Sequence, residues 1–317
     1  MIRFFFSALG GLFSLVTLGL MAIALSIGAV FYIYGRDLPS HDSLASYQPA
    51  SISRIYSGEG RMLDEFAKER RLFTPADEIP ELIKHAFISA EDKNFYTHDG
   101  YDTRGIASAA IDAMKGGGVR GASTITQQVV KNFLLSADRK AERKIKEIIL
   151  ATRLEESLGK EQILELYLNE IFLGANSFGV TAAAQSYFNK TLSELAPNEA
   201  AFLASLPKAP SSFHPVRRKE RLTQRRNFVL KEMKENGYIS QETYESERAL
   251  PLLSVQNGDY EPFRNALPPR DYFTDEIRRQ LSKDFGEEEF FTGGMTVRAT
   301  IEPEMQELAA KSLQKQL

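Results

Sequence analysis

Residues 90–100 read AEDKNFYTHDG, with Glu91, Phe95 and His98 at i, i+4 and i+7. On a helix that spacing puts all three on one face. An aromatic ring one turn from a carboxylate strips part of its water and raises its pKa toward the range of a general base. Adjacent Asp92 doubles the acidic charge. Acidic residues near a helix end are also ordinary solvated surface, so the stretch alone does not decide. A second polar set follows at the same spacing: Thr124, Gln128 and Lys131, with Thr126, Gln127 and Asn132 adding hydroxyl and amide groups. Val129, Val130, Phe133 and Leu134 supply a buried side for that helix, and the polar stripe reads equally as its solvent face. The third set is RKIKEIILA (143–151), where Glu147 has Arg143 at i−4, Lys144 at i−3 and Lys140 a further turn back. As an exposed helix pair this is worth only about 0.3–0.5 kcal/mol. Gathered in a cleft, it is a cationic pocket for a phosphate or pyrophosphate with a carboxylate inside it.

Other chemistries are excluded or poorly supported. GGGVRGAST (116–124) has the G-x-x-x-x-G spacing of a phosphate loop, but Ala122 stands where the lysine belongs and an Ala-rich helical stretch precedes it. Nucleotide hydrolysis is therefore rejected; a glycine-rich loop feeding a helix N-terminus still makes a fair anion site. There is no cysteine, which rules out disulfides, zinc thiolates and thiol catalysis. The four histidines (His41, His85, His98, His214) are scattered without metal-binding spacing. A formal net charge of −3 argues against bulk nucleic-acid binding.

The elements that must position these residues follow from the pattern. At 317 residues the chain has room for about two domains. Thirty-two uncharged positions separate Arg3 from Arg36, whereas a bilayer core of about 30 Å needs only about 20 helical residues. A cleaved signal peptide could end at Ala22-Ile23-Ala24, but the apolar run continues through Val30, Phe31 and Ile33, so a retained transmembrane anchor is the reading. Residues 1–37 are thus a short tip and anchor, and residues 38–79 a linker with a hairpin turning at Gly58-Glu59-Gly60. A helical domain occupies 80–247. Its predicted helices are ELIKHAFISAEDKNFY (stopped by Asp99-Gly100), TRGIASAAIDAMK, a Ser123-capped TITQQVVKNFLL and RKAERKIKEIILATRLEESLG, then four more ending near Gly237. From Tyr238 the pattern loosens, and 248–317 reads as linker, a Pro-rich break at 266–270, a strand (MTVRAT) and a last helix.

Together these stretches resemble the peptidoglycan glycosyltransferase domain of class A penicillin-binding proteins, the bifunctional bacterial cell-wall synthases. The resemblance is carried by EDKNFYTHDGYD (91–102), RGASTITQQVVKN (120–132), RKIKEIILATRLE (143–155), KEQILELYLNEIFLG (160–174), and GVTAAAQSYFNK with LSELAPNEAAFLASLPKAP (179–210), in family order. It implies a mainly α, lysozyme-like domain with a small β-hairpin segment, preceded by one transmembrane helix. By the same likeness Glu91 is the general base that takes a proton from the acceptor's 4-hydroxyl. The oxygen attacks the anomeric carbon of a lipid-linked donor, inverting it to a β-1,4 link, and undecaprenyl pyrophosphate leaves. Asp92, Phe95 and His98 would shape that site, and Thr124, Gln128 and Asn132 would bind substrate. Glu147 maps to the second carboxylate, and with Lys144, Arg143 and Lys131 it would stabilise the leaving pyrophosphate. The resemblance admits a divalent cation there, Mg²⁺ or Mn²⁺, with the metal requirement unknown and no organic cofactor. Its partners would be lipid II, the growing lipid-linked glycan, the bilayer and other wall-synthesis proteins, with no nucleic acid. The catalytic domain would lie on the periplasmic side of the inner membrane.

TGGMTVRATIEPEMQ looks like the entry to the family's transpeptidase domain, with the remainder missing; Ser312-x-x-Lys315 has no companion motifs, so no β-lactam target is expected. Ala122 departs from a glycine found in many relatives. Two other functions fit the carboxylates: a hydrolase cutting the same glycan, or a catalytically silent membrane scaffold. The cationic surroundings of Glu147 favour synthesis, since a hydrolase has no pyrophosphate to neutralise.

Overall fold

A computed structural model describes residues 2–35, 38, 52–67, 69–103, 105, 123–135, 140–210, 212–263 and 272–316. It is mainly helical, with few short strands. The chain divides into two compact units, one formed by residues 1–46 with 97–159, the other by 47–96 with 160–317.

In the first unit, α1 (Ile2–Gly35) is 34 residues long, and among its described side chains Phe13, Leu15 and Leu25 are exposed. Among the described residues no helix is long and apolar enough to cross a membrane; several side chains of α1 lie outside that set. The Arg153 guanidinium donates to the Gly35 carbonyl at 3.2 Å, tying the end of α1 to a later helix. That helix is α4 (Lys140–Ser157), against which α3 (Ile125–Leu134) packs. Ile125, Val129 and Val130 of α3 and Leu150, Ala151 and Leu154 of α4 are all buried, at i, i+4, i+5 and i, i+1, i+4 spacings that keep each set on one face and drive two such helices together.

The second unit holds α2 (Glu81–Glu91), α5 (Lys160–Glu170), α6 (Val180–Phe188), α7 (Pro197–Ser205), α8 (Lys219–Glu235) and α9 (Gln241–Ala249). α7 is its centre: every residue from Glu199 to Ser205 is buried, and α2 and α8 pack on it. The small residues in its sequence, Ala200, Ala201 and Ala204, allow that approach from two sides. Pro197 begins it, where a missing N–H costs nothing.

A small β module completes this unit. β1 (Ser53–Tyr56) and β2 (Met62–Phe66) form the expected hairpin in antiparallel register, Ser53 opposite Phe66 and Ile55 opposite Asp64. β5 (Thr296–Arg298) joins β1 in parallel, so residues far apart in sequence share one sheet. The sheet rests on α10 (Tyr272–Phe285) and α11 (Glu287–Thr292). Ile55, Leu63, Phe66 and Phe290 form a buried cluster flanked by Ile277, Leu281, Phe291 and Val297. β3 (Arg70–Arg71) pairs with β4 (Ser177–Phe178) in a second, two-stranded sheet, and α12 (Pro303–Gln316) closes the chain.

Three local expectations change. The helix expected to run from Glu81 through Tyr96 stops at Glu91: Asp92 takes φ −158°, its N–H closes the last turn on Ile88, and its carbonyl accepts from Phe95 to start a turn and a 3₁₀ segment (Phe95–Thr97). Asp and Asn prefer turns to helix interiors, and Asp92 and Asn94 fall together here. The cap of α3 is Thr124 rather than Ser123, its hydroxyl accepting from the Gln127 N–H at 3.2 Å. The loosened pattern after Tyr238 conceals α9, α10 and α11, whose faces are largely polar. The predicted helix TRGIASAAIDAMK and the loop GGGVRGA lie almost wholly outside the described residues.

Candidate functional site

Glu91 is the last residue of α2, and its side chain is 14% exposed. Opposite it, Arg225 projects from α8, with a terminal nitrogen 3.7 Å from the Glu91 carboxylate and 3.3 Å from the Ala90 carbonyl. A cation at a helix C-terminus also meets the negative end of the helix dipole. The Arg225 guanidinium stacks over Phe228, 4.7 Å from the ring centre. Burial pulls its pKa below the usual arginine range, and the charges of Glu91 and Glu232 act against that fall. Tyr167 of α5 is fully buried, edge-on to Phe87. Burial, reinforced by the negative charges of Glu91 and Asp92, holds the Tyr167 phenol well above its ordinary pKa. Asp92 is buried, and Phe95 is fully buried with the Lys160 ammonium 4.7 Å over its ring.

The Glu147 cluster of the first unit is a connected polar network. The carboxylate is buried, with Arg143 Nε 3.3 Å from one oxygen and Lys144 Nζ 3.0 Å from the other. The Lys144 ammonium also donates to Gln127 Oε1 at 2.7 Å and to Ser123 Oγ at 2.9 Å, so all three of its N–H bonds are used. Gln127 passes the connection on, its amide donating to the Gly100 carbonyl at 3.3 Å. The same carbonyl accepts from the Thr124 hydroxyl at 2.7 Å, and the Gly100 N–H donates to His98 Nδ1 at 3.2 Å. Gly100 has φ +91°, and a Cβ there would lie 2.7 Å from the Ala151 carbonyl carbon, so only glycine fits this crossing onto α4. The network runs His98, Gly100, Thr124 and Gln127, Lys144, Glu147.

Because α2 ends at Glu91, the helical face predicted for Glu91, Phe95 and His98 does not form. Glu91, Asp92 and Phe95 belong to the second unit and His98 to the first. Arg143, Lys144 and Glu147 do converge. Thr124 is buried and serves as cap and as a donor to Gly100, while Gln128 is half-buried and Lys131 and Asn132 are exposed on α3. Gln127, noted in the sequence only for its amide, proves to join two parts of the network. Arg225 and Tyr167 were not anticipated. One signal could have found Tyr167: within YLNE it is the aromatic of a stretch already singled out. Nothing in the spacing of RRNFVL marks Arg225, whose partner lies 134 positions earlier. Among the described residues no set of three or more acidic or histidine side chains could hold a metal ion. Both Glu147 oxygens already face cations, so these donors do not fit a resident Mg²⁺ or Mn²⁺.

Residues 59–234 match the family model described as Transglycosylase. The chain is 42% identical over 304 residues to Penicillin-binding protein 1A of Rickettsia prowazekii, covering 94% of this chain and 38% of that one. It is 40% identical over 300 residues to Penicillin-binding protein 1A of Aquifex aeolicus, covering 94% and 40% respectively. The chain thus spans about two-fifths of the length of these curated relatives. The crystal structure of Penicillin-Binding Protein 1A from Haemophilus influenzae is 29% identical, with a TM-score of 0.47, over 80% of this chain and 27% of that chain. The matched span contains Glu91, the network around Glu147 and Arg225, and it covers more than half of the sequence: this chain belongs to the Transglycosylase family.

Proposed function

We propose that this chain is a peptidoglycan glycosyltransferase that polymerises lipid II into β-1,4 glycan with inversion and release of undecaprenyl pyrophosphate. The observation that carries the reading is a buried carboxylate held between two cations, Glu147 between Arg143 and Lys144, within a span that matches the Transglycosylase family. A diphosphate is already a good leaving group and needs charge neutralisation more than a strong acid. Lys144 can supply this by exchanging its bond to the neutral Ser123 hydroxyl for a phosphate oxygen, while Glu147 and Gln127 keep the ammonium in place. Arg143 and the exposed Lys131 add positive charge. Charge neutralisation is assigned to these side chains, and no step is routed through a metal.

Glu91 acts as general base. It stands at a helix end, only 14% exposed, and draws the proton from the acceptor 4-hydroxyl as that oxygen bonds to the donor's anomeric carbon and the C–O bond to the diphosphate breaks. Asp92, Phe95 and His98 shape their respective parts of the site, and Gln128 and Asn132 offer amides to the sugars. The apolar α1 is the single-pass anchor of this reading. It holds a lysozyme-like domain at the outer face of the cytoplasmic membrane, where a lipid-tailed donor remains within reach.

The test is turnover of labelled lipid II by detergent-solubilised protein, with Glu91→Gln beside the wild type. A ladder of glycan polymer from wild type alone is the expected result. Cleavage of preformed glycan without polymerisation would replace synthesis by hydrolysis, and neither activity in folded protein would leave the scaffold.

A further inference from the structure

A base that must be ionised to work is set here with its side chain only 14% exposed, and shielding alone favours the protonated acid. Something has to oppose it. Several elements bring charged or titratable groups near Glu91 among the described residues. α8 contributes Arg225, whose charge Glu232 also feels; α5 contributes the Tyr167 phenol; Asp92 follows in the chain. α7, the other helix packed on α2, carries only Glu199, whose carboxylate is held by Lys190 at 2.7 Å.

We infer that Arg225 is the positioning residue of the base, holding the Glu91 carboxylate ionised and aimed from the far side of the α2 terminus. Three features of its geometry suit that task. The guanidinium is fixed at two other points, by the Ala90 carbonyl and by the face of Phe228, so it does not depend on Glu91 for its own position. At 3.7 Å it lies outside hydrogen-bond range of the carboxylate, so it stabilises the charge without occupying a lone pair needed for the incoming proton. Though it belongs to α8, it donates to the Ala90 carbonyl at the C-terminal end of α2, where a cation offsets the negative end of the helix dipole. Arg225 does not touch substrate in this account; it acts through Glu91. The inference rests on the assignment of Glu91 as base.

The test is the pH profile of polymerisation by wild type, Arg225→Gln and Arg225→Lys, with Glu91→Gln as the control. Loss of the cation should raise the pKa of Glu91 and move the acid limb of kcat upward by about one to three pH units. Arg225→Lys should return the limb most of the way, and KM for lipid II should change little in either variant. Arg225→Met, which keeps an aliphatic stem against Phe228 and removes the charge, replaces Gln should that variant not fold. A neutral variant whose limb stays at the wild-type pH while its plateau falls would overturn the inference, because only packing would then have been lost. An active Glu91→Gln would overturn the base assignment instead, a separate and distinguishable failure.

Discussion

Two carboxylates, Glu147 and Glu91, are both largely hidden from water, yet their surroundings differ in kind. Glu147 meets a cation at each oxygen, and one of those cations is itself locked by two further hydrogen bonds. Glu91 faces the Arg225 guanidinium at 3.7 Å, a distance too long for a hydrogen bond between them. The first arrangement commits the carboxylate: each oxygen faces a cation, and its role is to fix positive charge in place. The second sets a guanidinium near the carboxylate without a hydrogen bond between the two, which favours the ionised state. Arg143 and Lys144 thus hold one glutamate closely and Arg225 stands farther from the other, which suits the two to different work.

The largest expected effects come from neutralising each in turn. Glu91→Gln should lower turnover by about 10²- to 10⁴-fold, the usual loss of a general base, with little change in thermal stability. Glu147→Gln should lower both. A glutamine there can accept from Lys144 with its oxygen, but its amide then faces Arg143 donor to donor. The cost should be about 3 kcal/mol, toward the lower end for a broken buried pair because both cations are partly exposed. Turnover should fall much further than affinity for the lipid-linked donor. Thermal unfolding and single-turnover kinetics on both variants would separate the roles; equal loss of stability in the two would erase the distinction.

Gly100→Ala attacks the tight end of the Glu147 network without removing a charge. The added methyl meets the backbone at Ala151, and φ +91° is unfavourable for any side chain, so about 2 kcal/mol should be lost. Should melting temperature and turnover be unchanged, the crossing over α4 does not hold the network together.

Much of this arrangement could be read in the sequence. The i−4 and i−3 placement of Arg143 and Lys144 around Glu147 is local, and helix geometry alone brings those groups together. The hairpin and most helices of the core were legible for the same reason. What could not be read depends on chain ends meeting at a distance. Helical spacing put His98 beside Glu91, but Asp92 leaves the helix and His98 instead accepts from Gly100. β5 joining β1, and Arg225 reaching Glu91, are pairings across more than a hundred residues that no periodicity encodes. Thr124 is the instructive intermediate. Its type and place at a helix start were visible, and as a stripe residue it looked like a substrate contact. In the fold its hydroxyl is buried and committed to Gly100 and to the cap.

Gln127→Leu keeps the volume but removes both the acceptor for Lys144 and one donor to Gly100. Since Thr124 still satisfies the Gly100 carbonyl, the loss should be about 1.5 kcal/mol, and Lys144 should become more mobile. Turnover should fall through the diphosphate side of the reaction, leaving the acid limb of the pH profile where Glu91 and Arg225 set it. A moved limb would mean that the two carboxylates are not independently tuned.

The smallest effect belongs to Thr124, and it discriminates between two readings of that residue. Thr124→Val is nearly isosteric but loses the hydroxyl that caps α3 and donates to Gly100, which should cost about 1 kcal/mol. Thr124→Ser retains the hydroxyl and should restore most of the stability. If the group acts through structure, turnover should follow stability across the two variants, and KM for lipid II should stay near the wild-type value. A Val variant of unchanged stability with a raised KM would instead make Thr124 the sugar contact that its place in the polar stripe suggested, and the hydroxyl would have to leave Gly100 when substrate arrives.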